Sequence, residues 1–90
     1  MFEKCIKIYV EGIVQGVCFR ASTKKEAENR NICGYAKNLI DGRVEVLACG
    51  QKQLVDELVD WLYQGPEFAT VTRLDIEKTD QVAPVGFVVC

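Results

Sequence analysis

Ninety residues, 49% of them hydrophobic and 27% charged, suffice for one folded domain spanning 1–90 and leave no room for a second core. Eleven Lys and Arg against thirteen Asp and Glu give a net charge of −2, which supplies no electrostatic footprint for nucleic acid. No apolar run approaches the ~20 residues of a membrane-spanning helix, and the opening MFEKCIKIYVEG lacks the apolar core of a secretory leader, so a cytoplasmic protein without membrane partners is expected.

Residues 4–10, KCIKIYV, alternate, with Ile6, Ile8 and Val10 on one side and Cys5, Lys7 and Tyr9 on the other, the pattern of a half-buried strand. The segment 12–20, GIVQGVCFR, then places two glycines and an arginine where a helix should begin. Residues 19–31 are rich in charge and alanine, free of glycine and proline, and carry a thin apolar stripe of Phe19, Thr23 and Ala27, which predicts a helix. Two short strands follow at 34–38 and 43–49, joined through Asp41-Gly42, a hairpin signal. Residues 51–64 set Leu54, Val55, Leu58, Val59, Trp61 and Leu62 at helical spacing, and Gly65-Pro66 supplies the stop. Strands at 69–78 and 86–90 complete the chain.

The order β-α-β-β-α-β plus a short last strand predicts an α+β, ferredoxin-like sandwich: an antiparallel sheet with two helices on one face and an extra C-terminal strand. Many functions use this fold, so it decides nothing alone. The helical crossover makes the first two strands parallel, with the third between them. Their carboxyl ends then share one sheet edge, which brings GIVQGVCFR beside Asn38.

The chemistry of that loop has two readings. Glycines at 12 and 16 permit positive φ and close approach, so successive amides can form an anion-binding nest ahead of a positive helix end. Arg20 sits in the first helical turn, where the dipole repels it unless an anion intervenes, and its fork matches phosphate or carboxylate oxygens. The same residues equally fit a plain strand-to-helix turn, and Asn38 an asparagine serving its own turn.

At this point the sequence resembles the acylphosphatase family over its whole length. The first signature reads GIVQGVCFR, a Val-Gln-Gly-Val core followed by one variable residue, an aromatic and Arg; the second reads GYAKNLIDGRVEVLACG over residues 34–50. The resemblance implies hydrolysis of small-molecule acyl phosphates to carboxylate and phosphate, without metal or cofactor. It further implies that Arg20 and the amides of Gln15, Gly16, Val17, Cys18, Phe19 and Arg20 hold the phosphoryl oxygens, so that phosphate or sulfate would occupy the loop. Asn38 would orient the attacking water.

The rest of the composition agrees. With no histidine and with cysteines at 5, 18, 33, 49 and 90 that form no Cys-x-x-Cys pair, no metal site and no Ser-His or Cys-His nucleophile is expected. A site built from positioning and charge alone suits a mixed anhydride, whose carboxylate leaves without a proton donor. The alternative is a non-catalytic anion-binding regulatory module of the same fold. An RNA-binding sandwich ranks lower, since the RNP1 pattern is missing. A monomer is expected.

Cys5 and Cys49 fall on antiparallel neighbouring strands and on the same open face, close enough for a disulfide, although a reducing cytosol favours free thiols. Cys18 occupies the variable slot of the first signature; next to Arg20 and a helix start it is a candidate redox-sensitive residue. Cys33 and Cys90 read as packing or strand-end residues.

Overall fold

The computed structural model describes residues 2–90. Its elements run β1 (Lys4–Ile13), α1 (Phe19–Glu28), β2 (Cys33–Asn38), β3 (Val44–Gly50), α2 (Lys52–Gln64), β4 (Thr70–Lys78) and β5 (Phe87–Val89). The strands form one sheet in the order β4-β1-β3-β2-β5. Both helices pack on the face carrying Ile6, Ile8 and Val10 of β1, Ala36 of β2 and Val44, Val46 and Ala48 of β3. Phe19 and Ala27 from α1, and Val55, Leu58 and Leu62 from α2, close that core. Each valine, leucine, isoleucine or phenylalanine among them contributes roughly 1.5–3 kcal/mol on burial. The fold is the expected ferredoxin-like α+β sandwich.

The sheet itself is mixed rather than antiparallel throughout. β1, β2, β3 and β4 pair antiparallel, but β5 lies parallel to β2, with Gly34 opposite Phe87 and Ala36 opposite Val89. The reason lies in the connection after β4. β4 ends where β1 begins, with Lys78 opposite Ile6, and β2 begins at that same end of the sheet. The segment 79–86 therefore travels along one end, touching Cys5 through Thr79 N (3.4 Å to the carbonyl), Tyr35 through Gln81 Nε2 (3.3 Å) and Gly34 through the Gly86 carbonyl (3.0 Å). From there β5 has one way to run, and it carries Val89 and Cys90 to the opposite end.

Two other boundaries move for physical reasons. β1 continues three residues beyond Val10, through an irregularity between Glu11 and Gly12, because β4 offers it ladder partners as far as Thr70. Gly12 therefore belongs to the strand, with φ 134°, and a Cβ there would stand 2.0 Å from the Thr70 carbonyl oxygen. That close approach, not an anion, explains the first glycine of the loop. α1 stops at Glu28 rather than 31: Asn31 turns left-handed (φ 53°), and the Ile32 amide reaches back to the Ala27 carbonyl at 3.0 Å, a Schellman-like closure.

The opposite face of the sheet holds a polar cluster. Glu45 is almost fully buried, accepts a hydrogen bond from the Tyr35 hydroxyl, and lies 3.6 Å from Lys37 Nζ. Burial, reinforced by the Glu45 hydrogen bond, pushes the Tyr35 hydroxyl up to about 12.

Candidate active site

Between β1 and α1 the chain alternates its direction. Val14 is buried, Val17 packs against the core and the Phe19 ring is buried beside Trp61 at a centroid distance of 6.1 Å. These three anchors leave Gly16, Cys18 and Arg20 facing a cleft of about 350 Å³ at the sheet edge, whose lining also includes Val14, Phe19, Ala21, Asn38 and Val89. Two residues in this short span are left-handed, Gly16 at φ 76° and Cys18 at φ 61°. Nothing would meet a Cβ on Gly16 within 4 Å, so glycine is required there by the backbone and not by crowding. For Cys18 the same conformation costs on the order of 1–2 kcal/mol, a cost borne at a residue that lines the cleft.

Cys18 is the N-cap of α1 but makes no side-chain cap bond, and the first turn carries no acidic residue. The helix therefore presents its donor end and positive dipole toward the cleft without local neutralisation by its own cap. Arg20 enters from the first turn, and its Nη1 donates to the Cys90 carbonyl oxygen. Lys24, one turn on, donates from Nζ to the Phe87 carbonyl at 2.8 Å, and the Cys90 amide bonds the Ala36 carbonyl at 3.0 Å. β5 is thereby docked against α1 and β2, and Val89 becomes one wall of the cleft.

Asn38 comes from the other side, as the last residue of β2 opposite Val44 of β3. The turn that follows is closed by Leu39 N to the Arg43 carbonyl (2.8 Å) and Gly42 N to the Leu39 carbonyl (3.2 Å). Asp41 accepts from both the amide and Nε of Arg43, and the Arg43 backbone bond is the main cause that holds the Asp41 carboxyl below its usual range. Gln15 reaches across to this turn: its Nε2 donates to the Leu39 carbonyl at 2.8 Å and to the Arg43 carbonyl at 3.0 Å.

The sequence-predicted residues thus divide. Arg20, Asn38, Gly16 and Cys18 meet at one cleft, as the shared sheet edge requires. Phe19 also borders it, but its ring belongs to the core. The Gln15 and Val17 side chains are directed elsewhere, to the hairpin and to the core. Cys5 and Cys49 stand directly opposite with Cα atoms 4.1 Å apart and their sulfurs joined. Among the described residues no group of three His, Cys, Asp or Glu could hold a metal ion, and no helix is long and apolar enough to cross a membrane. Sequence reasoning missed Val89 and Cys90 at the site; the signal was confined to a short terminal strand whose partner the pattern does not name.

The profile of the family described as Acylphosphatase matches residues 6–89. The chain belongs to the acylphosphatase family. An acylphosphatase of Chromohalobacter salexigens is 47% identical over 87 residues, covering 97% of each chain. The solved acylphosphatase of Coxiella burnetii superposes with a TM-score of 0.93 at 39% identity, covering 99% of this chain and 94% of that one. The crystal structure of the Bacillus subtilis acylphosphatase gives 0.89 at 33% identity over 96% and 97%. In this acylphosphatase, the left-handed Cys18 and the Cys90 carbonyl on Arg20, just past β5, are the features of the cleft that motif matching alone does not convey.

Proposed function

We propose that this cleft carries out the hydrolysis of acyl phosphates that membership of the acylphosphatase family assigns to the chain. The observation that carries the reading is that Arg20, from the first turn of α1, and Asn38, from the end of β2, line one cleft together with the left-handed Gly16. The amides of residues 15–20 and the donors of the Arg20 fork not spent on Cys90 hold the phosphoryl oxygens, with the dipole of α1 behind them. The Asn38 amide holds a water in line with the P–O bond to the acyl group. Attack by that water forms a new P–O bond while the carboxylate departs with the electron pair of the old one. Both protons of the water stay with the phosphate, one on the new P–OH and the other on a phosphoryl oxygen, so the carboxylate leaves without an acid.

Energetically, such a site supplies orientation and stabilisation of equatorial charge, which serve a loose phosphoryl transition state. A phosphate ester would leave as an alkoxide in need of a proton, and the chain has no histidine to give one. Because Cys18 is exposed and borders the cleft, its oxidation or nitrosation would obstruct phosphate binding; unchanged turnover after stoichiometric modification would refute that role.

The reading is tested with benzoyl phosphate in ¹⁸O-labelled water. Turnover with the label in inorganic phosphate is expected. Label in benzoate would move the attack to the carbonyl carbon, and binding without turnover would leave only the anion-binding module.

A further inference from the structure

We propose that Gln15 is a positioning residue that sets the distance between the phosphate-facing loop and Asn38; this rests on the water-orienting role read for Asn38. Its two contacts, at 2.8 and 3.0 Å, are both carbonyl oxygens, which only accept, so the side chain must present its nitrogen and both N–H groups are spent. Those carbonyls, of Leu39 and Arg43, are the pair that close the turn after Asn38. The residue following Gln15 is Gly16, which lines the cleft, and the residue preceding Leu39 is Asn38, which lines it from the other side. One side-chain amide therefore joins the two halves of the site.

The backbone gives this amide its importance. The β1–β3 ladder ends at Val10 opposite Val44, whereas the β1–β4 ladder, which begins at Ile6, continues alone from Glu11 to Ile13. Beyond Val10 the strand is thus committed to the far side of the sheet, while the hairpin that carries Asn38 continues on the near side. The Gln15 bridge spans the resulting divergence. In-line attack tolerates little error in the separation of water and phosphorus, and a misplacement of about 1 Å costs on the order of 10²-fold.

The test is a double-mutant cycle with benzoyl phosphate. Gln15→Met keeps the length of the side chain and drops both donors; kcat is expected to fall on the order of 10²-fold while inhibition by inorganic phosphate stays at the wild-type level. In an Asn38→Ala background the same change is expected to cost nothing further, since there is no positioned water left to misplace. Gln15→Asn, with an amide one methylene short, is the second variant should the first not fold, and it carries the same expectation. Wild-type kcat, a loss additive with Asn38→Ala, or weakened phosphate inhibition would each overturn the tether. If Asn38→Ala itself keeps wild-type kcat, the role read for Asn38 fails instead, and the two failures are distinguishable.

Cys5, Cys49 and Cys33 form a row across three neighbouring strands: Cys49 stands directly opposite Cys5 on β1 and directly opposite Cys33 on β2. Directly opposed residues share a face, so all three project to the side away from the helices, and Cys33 approaches Cys49 from the side opposite Cys5. We infer that Cys33 exchanges with the Cys5–Cys49 disulfide. The Cys33 thiolate attacks Cys49 Sγ, the Cys33–Cys49 bond forms as Cys49–Cys5 breaks, and Cys5 leaves as a thiolate that regains the proton Cys33 lost; no oxidant or reductant is consumed. Cys5 borders an open cleft of about 460 Å³, so the released thiol can be trapped with iodoacetamide under native conditions. Peptide mapping of the oxidised protein should show a fraction linked 33–49 with Cys5 alkylated, and Cys33→Ser should abolish that alkylation. A sole 5–49 linkage with Cys5 unreactive, or Cys5 alkylation that survives Cys33→Ser, would overturn the exchange.

Discussion

Gly16→Ala separates the backbone cost of the loop before α1 from the cost to the phosphate proposed to bind there. The residue sits at φ 76° with no atom within 4 Å of the position a Cβ would take. The added methyl therefore neither clashes nor packs, and the stability loss reduces to holding an alanine left-handed, about 1–2 kcal/mol. The methyl also projects into space that borders the cleft lined by Arg20 and Asn38. Displacing a phosphate from one charged hydrogen bond there would cost a further ~1.5–3 kcal/mol of binding, roughly 10- to 150-fold in affinity. Urea denaturation measures the first quantity, and competitive inhibition by inorganic phosphate the second. A folded Gly16→Ala protein that binds phosphate as the wild type does would refute the placement of the anion over this loop.

Arg20→Ala should lower kcat/KM by about 3–4 kcal/mol, on the order of 10²–10³-fold, the usual loss for one preorganised donor; steady-state kinetics on the folded variant measures it, and near-wild-type activity would remove Arg20 from the site. The Cys5–Cys49 bond closes a loop with a sequence separation of 44, for which chain entropy gives about 4 kcal/mol. Urea titrations of oxidised and reduced protein should differ by that amount, and coincident curves would contradict it. Tyr35 keeps its proton up to about 12 in the folded state, against 10.0 ordinarily, so its contribution is complete below pH 10 and is lost as pH rises toward 12. The stability gap between wild type and Tyr35→Phe should therefore narrow over that window, and a constant gap would count against the Tyr35–Glu45 pair.

The elements legible in the sequence are those with enough repeats of one period. The segment 51–64 shows a broad apolar face over several turns, and Val55, Leu58 and Leu62 are the residues buried from it. The alternation of 4–10 likewise names Ile6, Ile8 and Val10 as core. The direction of β5 is not legible, because a strand of three residues carries no pairing signal and its course follows from where β4 happens to end. Gly12 misleads for a related reason: a glycine needed for close approach to Thr70 reads the same as one needed for a turn. Within the site, topology and two motifs suffice to bring Arg20 to Asn38. The left-handed Cys18 escapes notice because cysteine carries no preference for that conformation, and Gln15 because a loop glutamine usually faces water. Its carbonyl partners on the hairpin exist only once both segments have folded.

The account is tested most directly by Asn38→Ala assayed with benzoyl phosphate, with kcat and inhibition by inorganic phosphate measured on the same preparation. It predicts a large fall in kcat with phosphate affinity retained, because Asn38 addresses the water while Arg20 and the loop amides address the anion. A folded Asn38→Ala protein with wild-type kcat, or one whose entire loss appears in phosphate affinity, would contradict it.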